Sequence, residues 1–119
     1  MTDSSATSVL AGSLRFSGGF HADDRAHVLE VLAPLEKHLA RWSADEADLQ
    51  VSVKDRGGPE QRVTLDLRLP GWPALVAKGA DVDLDRALHE ARKELMRQIE
   101  DERSRRDPKD NRKLRQDRR

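Results

Sequence analysis

The chain has 119 residues, no cysteine and a formal net charge of zero. That length allows one domain, and the lack of cysteine excludes a disulfide framework, a thiolate metal site and a thiol nucleophile. The zero hides a division, because residues 103–119 hold nine Lys/Arg against three Asp and carry +6, while residues 1–102 carry −6. Such an asymmetry points to an anionic partner for the end of the chain.

No run approaches the roughly eighteen continuous apolar residues of a membrane span, and the first eight residues lack the basic start and apolar core of a secretory signal. A soluble, cytoplasmic protein with no membrane partner is expected. Residues 1–12 are read as a disordered start. Leu14 and Phe16 alternate with Ser13, Arg15 and Ser17, which predicts a short half-buried strand ended by Gly18-Gly19. Asp23 or Asp24 then opens a helix whose buried stripe is Val28, Leu32, Leu35, Leu39 and Trp42. Pro34 lies inside that stripe, removes an amide donor and crowds the carbonyl of Glu30, so a kink or restart is expected there.

Three strands follow. Leu49, Val51 and Val53 alternate with polar residues, and so do Val63, Leu65, Leu67 and Leu69. Pro70-Gly71 suits a tight turn before a third strand around Ala74 to Lys78. Clean alternation implies one covered and one wet sheet face, so the helices should share a side. The last helix is capped by Asp83. Its apolar stripe is Leu84, Leu88, Ala91, Leu95 and Ile99, with Arg86, Lys93 and Arg97 opposite. The fold class is α+β, β-α-β-β-β-α: a four-stranded sheet with two helices packed on one face, spanning 13–102, followed by a basic disordered tail over 103–119.

Leu14-Arg-Phe-Ser-Gly18, Asp83-Leu84, Ala87-Leu88 and the group Leu95, Arg97-Gln98-Ile99, taken with this order of elements, resemble the ribosome hibernation promoting factor and ribosome-associated translation inhibitor family, in its short form with a basic tail. The resemblance covers about residues 13–106. It implies a domain similar to double-stranded RNA-binding folds that binds the small ribosomal subunit and its rRNA and silences translation in stress or stationary phase. The chain departs from the family at Asp85, where an aromatic is usual, at Glu100-Asp101-Glu102, where lysines are usual, and at Pro34.

Lys/Arg side chains supply sequence-independent RNA contact by neutralising phosphates. The candidate contacts are Lys37 and Arg41 on the first helix, Arg86, Lys93 and Arg97 on the last, and Arg103, Arg105, Arg106, Lys109, Arg112 and Lys113 in the tail. The tail has no aromatic and so offers no base-stacking platform; it equally suits a solvated end that keeps an acidic protein soluble. On the wet sheet face, Arg62, Arg68 and Lys54 could line an RNA surface, but pairing with Asp48 and Asp66 is favoured. Arg92 is expected to snorkel past the core.

His21, His27, His38 and His89 are read as surface histidines, since His27 and His38 stand about 16 Å apart along a helix axis. With no nucleophile–base pattern and no phosphate-binding glycine loop, no enzyme activity, cofactor, metal or small-molecule substrate is expected. A monomer off the ribosome is expected. Two other readings remain open: a protein-interaction adaptor using the acidic residues, and a general binder of double-stranded RNA.

Overall fold

The structure, a computed structural model, describes residues 9–106. In chain order it contains helix α1 (Val9–Ser13), strand β1 (Leu14–Gly18), a 3-10 turn (Ala22–Asp24) leading into α2 (Arg25–Leu32), a second 3-10 turn (Ala33–Leu35), α3 (Glu36–Leu39), β2 (Asp48–Lys54), β3 (Gln61–Arg68), β4 (Leu75–Asp81) and α4 (Leu84–Arg106). The four strands form one sheet in the order β1-β2-β3-β4. β1 runs parallel to β2, and β2, β3 and β4 are successively antiparallel.

Alternation does what the sequence led us to expect. Leu49, Val51, Val53, Val63, Leu65, Leu67, Leu75 and Ala77 are buried on one face, in a single core with Val28, Leu32, Leu35, Leu39, Leu88, Leu95 and Ile99. The other face is open. The turn at Pro70-Gly71 forms as its residues require, with Gly71 at φ 76° and the Trp72 amide donating to the Leu69 carbonyl. Asp83 caps α4 by accepting from the Asp85 amide at 3.0 Å. At Pro34 the chain tightens into the 3-10 turn Ala33–Leu35 and restarts as α3, so the missing amide is accommodated by a change of helix type.

Two boundaries differ from expectation. The expected disordered start over 1–12 does not extend to its last four residues. Val9–Ser13 is helical, and Val9 and Leu10 are buried in the core. Their amides donate to the Glu36 carboxylate at 3.1 and 2.9 Å, so a charge on α3 satisfies the free donors of α1. Arg25 fastens the same end by donating to the Leu14 and Ala11 carbonyls. At the other terminus, α4 continues through Arg106, so Arg103, Arg105 and Arg106 are helical rather than part of a disordered tail. Residues 1–8 and the remainder of the tail, including Lys109, Arg112 and Lys113, lie outside the described residues.

The seat of α4 on the sheet depends on Gly79. A Cβ there would fall on the Ala87 carbonyl and the Ala91 amide. Helix and edge strand therefore approach closer than any larger residue permits.

Candidate nucleic-acid interface

Arg86, Lys93 and Arg97 do lie on the exposed side of α4, but they are not equivalent. Arg97 donates to Glu94, with Nη2–Oε2 at 2.6 Å, and to Asp101 at 3.3 Å. Glu94 also accepts from Gln98, and the two donors hold its carboxyl below the usual range. Arg86 lies 4.0 Å from Asp83. Lys93 makes no ion pair or hydrogen bond to a described residue.

The first cations of the tail are likewise occupied. Glu102, only 8% exposed, accepts from Arg105 at 3.0 Å and from Arg106 at 2.9 Å. Arg106 also stacks 5.2 Å over Trp72, which meets Trp42 edge-on at 5.3 Å. Arg41 covers the other tryptophan at 5.7 Å. Arg103 lies 3.9 Å from Glu100 and reaches the His38 carbonyl. Lys37 is exposed on α3. As expected, Arg92 passes the core, donating to the Val31 carbonyl at 2.8 Å.

On the open sheet face the favoured pairing is only partly realised. Arg68 pairs with Asp66 at 3.2 Å, but Asp48 pairs with Arg15 and Arg62 with Glu60. Lys54 has no partner among the described residues. The register sets Lys54 opposite Arg62, and Ser52 opposite Thr64, which is itself opposite Lys78. These side chains line a shallow depression of about 580 Å³. Lys78 escaped the sequence reading, because its meeting with Lys54 depends on the pairing of two strands separated by a third.

Beside this depression β4 is an outer strand, and α4 covers its free edge. Glu90 Oε1 accepts from the Ala80 amide at 3.0 Å, and Gln98 Nε2 donates to the Val76 carbonyl at 3.0 Å. Side chains thus take up backbone groups that would otherwise template a further strand. The Glu90 carboxylate is thus engaged by the sheet and not by a cation of its own helix.

The histidines also divide. His27 Nε2 lies 2.8 Å from Asp85, whose carboxylate raises its pKa above the ordinary value. His38 is not a surface residue. It is 8% exposed, between α3 and α4, with Nδ1 3.2 Å from Glu100. Burial there outweighs the attraction of Glu100 and lowers its pKa. The surface reading fails because His38 follows buried Val31 and Leu35 by seven and three residues, which sets it at the border of the apolar stripe. At the opposite end of the sheet, Arg56 grips both oxygens of Asp24 at 2.7 and 3.1 Å and covers Phe20. The guanidinium and the His21 amide hold the Asp24 carboxyl far below the usual range. No described helix is long and apolar enough to cross a membrane.

The sheet order, the single helical layer and the α4 crossing define the α+β fold of solved ribosomal subunit interface proteins. The structure is similar to the N-terminal domain of Thermus thermophilus Protein Y, with 22% identity and a TM-score of 0.53, covering 72% of this chain and 91% of that one. It is also similar to a ribosomal subunit interface protein from Coxiella burnetii, with 13% identity and a TM-score of 0.54, covering 76% of this chain and 97% of that one. No protein-family model and no curated protein matches the sequence. The fold implied by the hibernation-factor resemblance is therefore the fold found.

Proposed function

We propose that this protein is a non-enzymatic, cytoplasmic, ribosome-associated factor that binds the small subunit through rRNA phosphates and lowers translation in stress or stationary phase. The observation that carries this reading is the fold shared with a ribosomal subunit interface protein over 76% of the chain. Exposed lysines with no partner among the described residues supply the chemistry, since each cation brought to a phosphate releases counterions and favours binding at low salt. The tail cations Lys109, Arg112 and Lys113 add to the same attraction.

Sucrose-gradient sedimentation of lysate from resting cells tests this reading. Travel with small subunits or intact ribosomes is expected, with release on raising the salt. A protein that stays at the top of the gradient in dilute buffer overturns it. A second reading, a protein-interaction adaptor, is favoured by one observation: acids already occupy the helix cations Arg86, Arg97, Arg105 and Arg106. Pull-down with and without RNase separates the two. Capture of ribosomal proteins that is lost with RNase supports rRNA contact, while an unchanged protein partner supports the adaptor.

A further inference from the structure

We propose that Lys54, Arg62, Lys78, Lys93 and Arg97 form one continuous track for the sugar-phosphate backbone of single-stranded RNA, crossing the edge strand β4 from the open sheet face to the last helix. This deepens the ribosome-associated reading and rests on it only for the biological source of the RNA. The basis is a shared border. The depression on the sheet face, lined by Ser52, Lys54, Arg62, Thr64 and Lys78, adjoins a second of about 400 Å³, lined by Lys78, Glu90, Lys93, Glu94 and Arg97. Lys78 and Glu90 belong to both. A chain lying in the first can therefore pass over β4 into the second without leaving contact with cations.

The charges suit such a ligand. Lys54, Lys78 and Lys93 have no ion pair or hydrogen bond among the described residues, so meeting a phosphate costs them no existing contact. Lys54 and Lys78 stand two strands apart and two residues out of step along them, about 12 Å. Lys93 and Arg97 are one helical turn apart, about 6 Å. The hydroxyls of Ser52 and Thr64 lie between the cations and can donate to phosphate or ribose oxygens. No aromatic ring lines either depression, so nothing there stacks on bases, and binding should ignore sequence. The shape favours an extended strand, because a duplex is read by elements that protrude across its grooves, whereas this surface is a shallow trough around an edge.

Glu90 sharpens the assignment. Its carboxylate sits on the border and repels phosphate, yet its structural task is only to accept from the Ala80 amide. Glutamine can do the same without charge. Glu90→Gln should therefore bind RNA more tightly, by about two- to five-fold at low salt, with the edge of β4 still covered.

The test is titration of the full-length, isotope-labelled protein with a short oligouridylate, read by amide chemical shifts and by affinity across a salt series. Shifts are expected at Ser52, Lys54, Thr64, Lys78 and Lys93. Lys54→Gln/Lys78→Gln should flatten the slope of log K against log salt by about 1.4, from about 0.7 per single-strand phosphate contact. Lys54 and Lys78 are exposed, so circular dichroism of the double variant should match wild type. Absence of binding at low salt overturns the track, as do shifts confined to other surfaces or an unchanged slope in the double variant. Equal or tighter binding of an RNA duplex of the same length also overturns it. No ribosome enters the assay, so its outcome is independent of ribosome association.

Discussion

The outward face of α4 and the open face of the sheet both display cations, but they hold them differently. On the helix, Arg86 and Arg97 face Asp83, Glu94 and Asp101. On the sheet, Lys54 stands opposite Arg62 and Lys78 opposite Thr64, and neither lysine makes an ion pair or hydrogen bond with a described residue. The same division runs through the whole described chain. All twelve described arginines make an ion pair, a backbone hydrogen bond or a ring contact, whereas Lys37, Lys54, Lys78 and Lys93 make none. The planar guanidinium fork suits carboxylates and carbonyls within the fold, while the flexible ammonium remains hydrated and available. The lesson is that net charge is a poor guide to a binding face. What matters is which cations already have an occupation.

The comparison breaks most severely where the two faces are joined. Leu95→Ala, at a fully buried position under α4, should cost about 2–5 kcal/mol. Gly79→Val should cost about 1–3 kcal/mol or more, because its side chain meets helix backbone. Urea unfolding measures both. Gly79→Val should also weaken RNA binding, by moving Lys78 away from Lys93. Retained stability and affinity in that variant would mean the seat of α4 is unimportant to either face.

Next in size is the contrast between free and occupied cations. Lys93→Gln should reduce the salt slope of RNA binding by about 0.7, one phosphate contact, while Arg86→Gln leaves affinity within about two-fold of wild type, as an exposed paired group should. Equal effects from the two variants would erase the distinction.

Smaller effects come from pH, with opposite signs at the two histidines that touch α4. His38 has a lowered pKa when folded, so its contribution is present above about pH 6.5 and is lost as pH falls and the unfolded chain takes up the proton. His27 has a raised pKa, so its contribution is full below about pH 6.5 and is lost as pH rises through the folded value. Thermal midpoints at pH 5.5 and 8 should therefore show His27→Gln most damaging at the lower pH and His38→Gln most damaging at the higher. The smallest effect is at Asp24. The gap between wild type and Asp24→Asn should be constant above about pH 4 and close as acid protonates the carboxyl that Arg56 holds ionised.

Much of the layout was legible because local pattern and burial agree. Val51, Leu65 and Leu88 are inside for the reasons their spacing gives. Pro34 ends one helical segment and starts another. What escaped depends on contacts distant in sequence. The helix Val9–Ser13 is held by partners distant in sequence: Glu36, more than twenty positions later, accepts its amides, and Val9 and Leu10 are buried in the core. His38 is buried because α4, some sixty residues later, packs over the border of its apolar stripe. Lys78 joins Lys54 through strand register, and Glu90 serves the β4 edge; neither follows from helix or strand periodicity. The basic tail was drawn to begin at Arg103, but the buried Glu102 keeps Arg105 and Arg106 on the helix.

The most direct test of ribosome attachment through free lysines is the affinity of the full-length protein for purified small subunits over a salt series. The expected result is tight binding in dilute buffer that falls steeply with salt, less steeply once Lys54 and Lys78 are glutamine. Failure to bind in dilute buffer, or an affinity indifferent to salt, would contradict it.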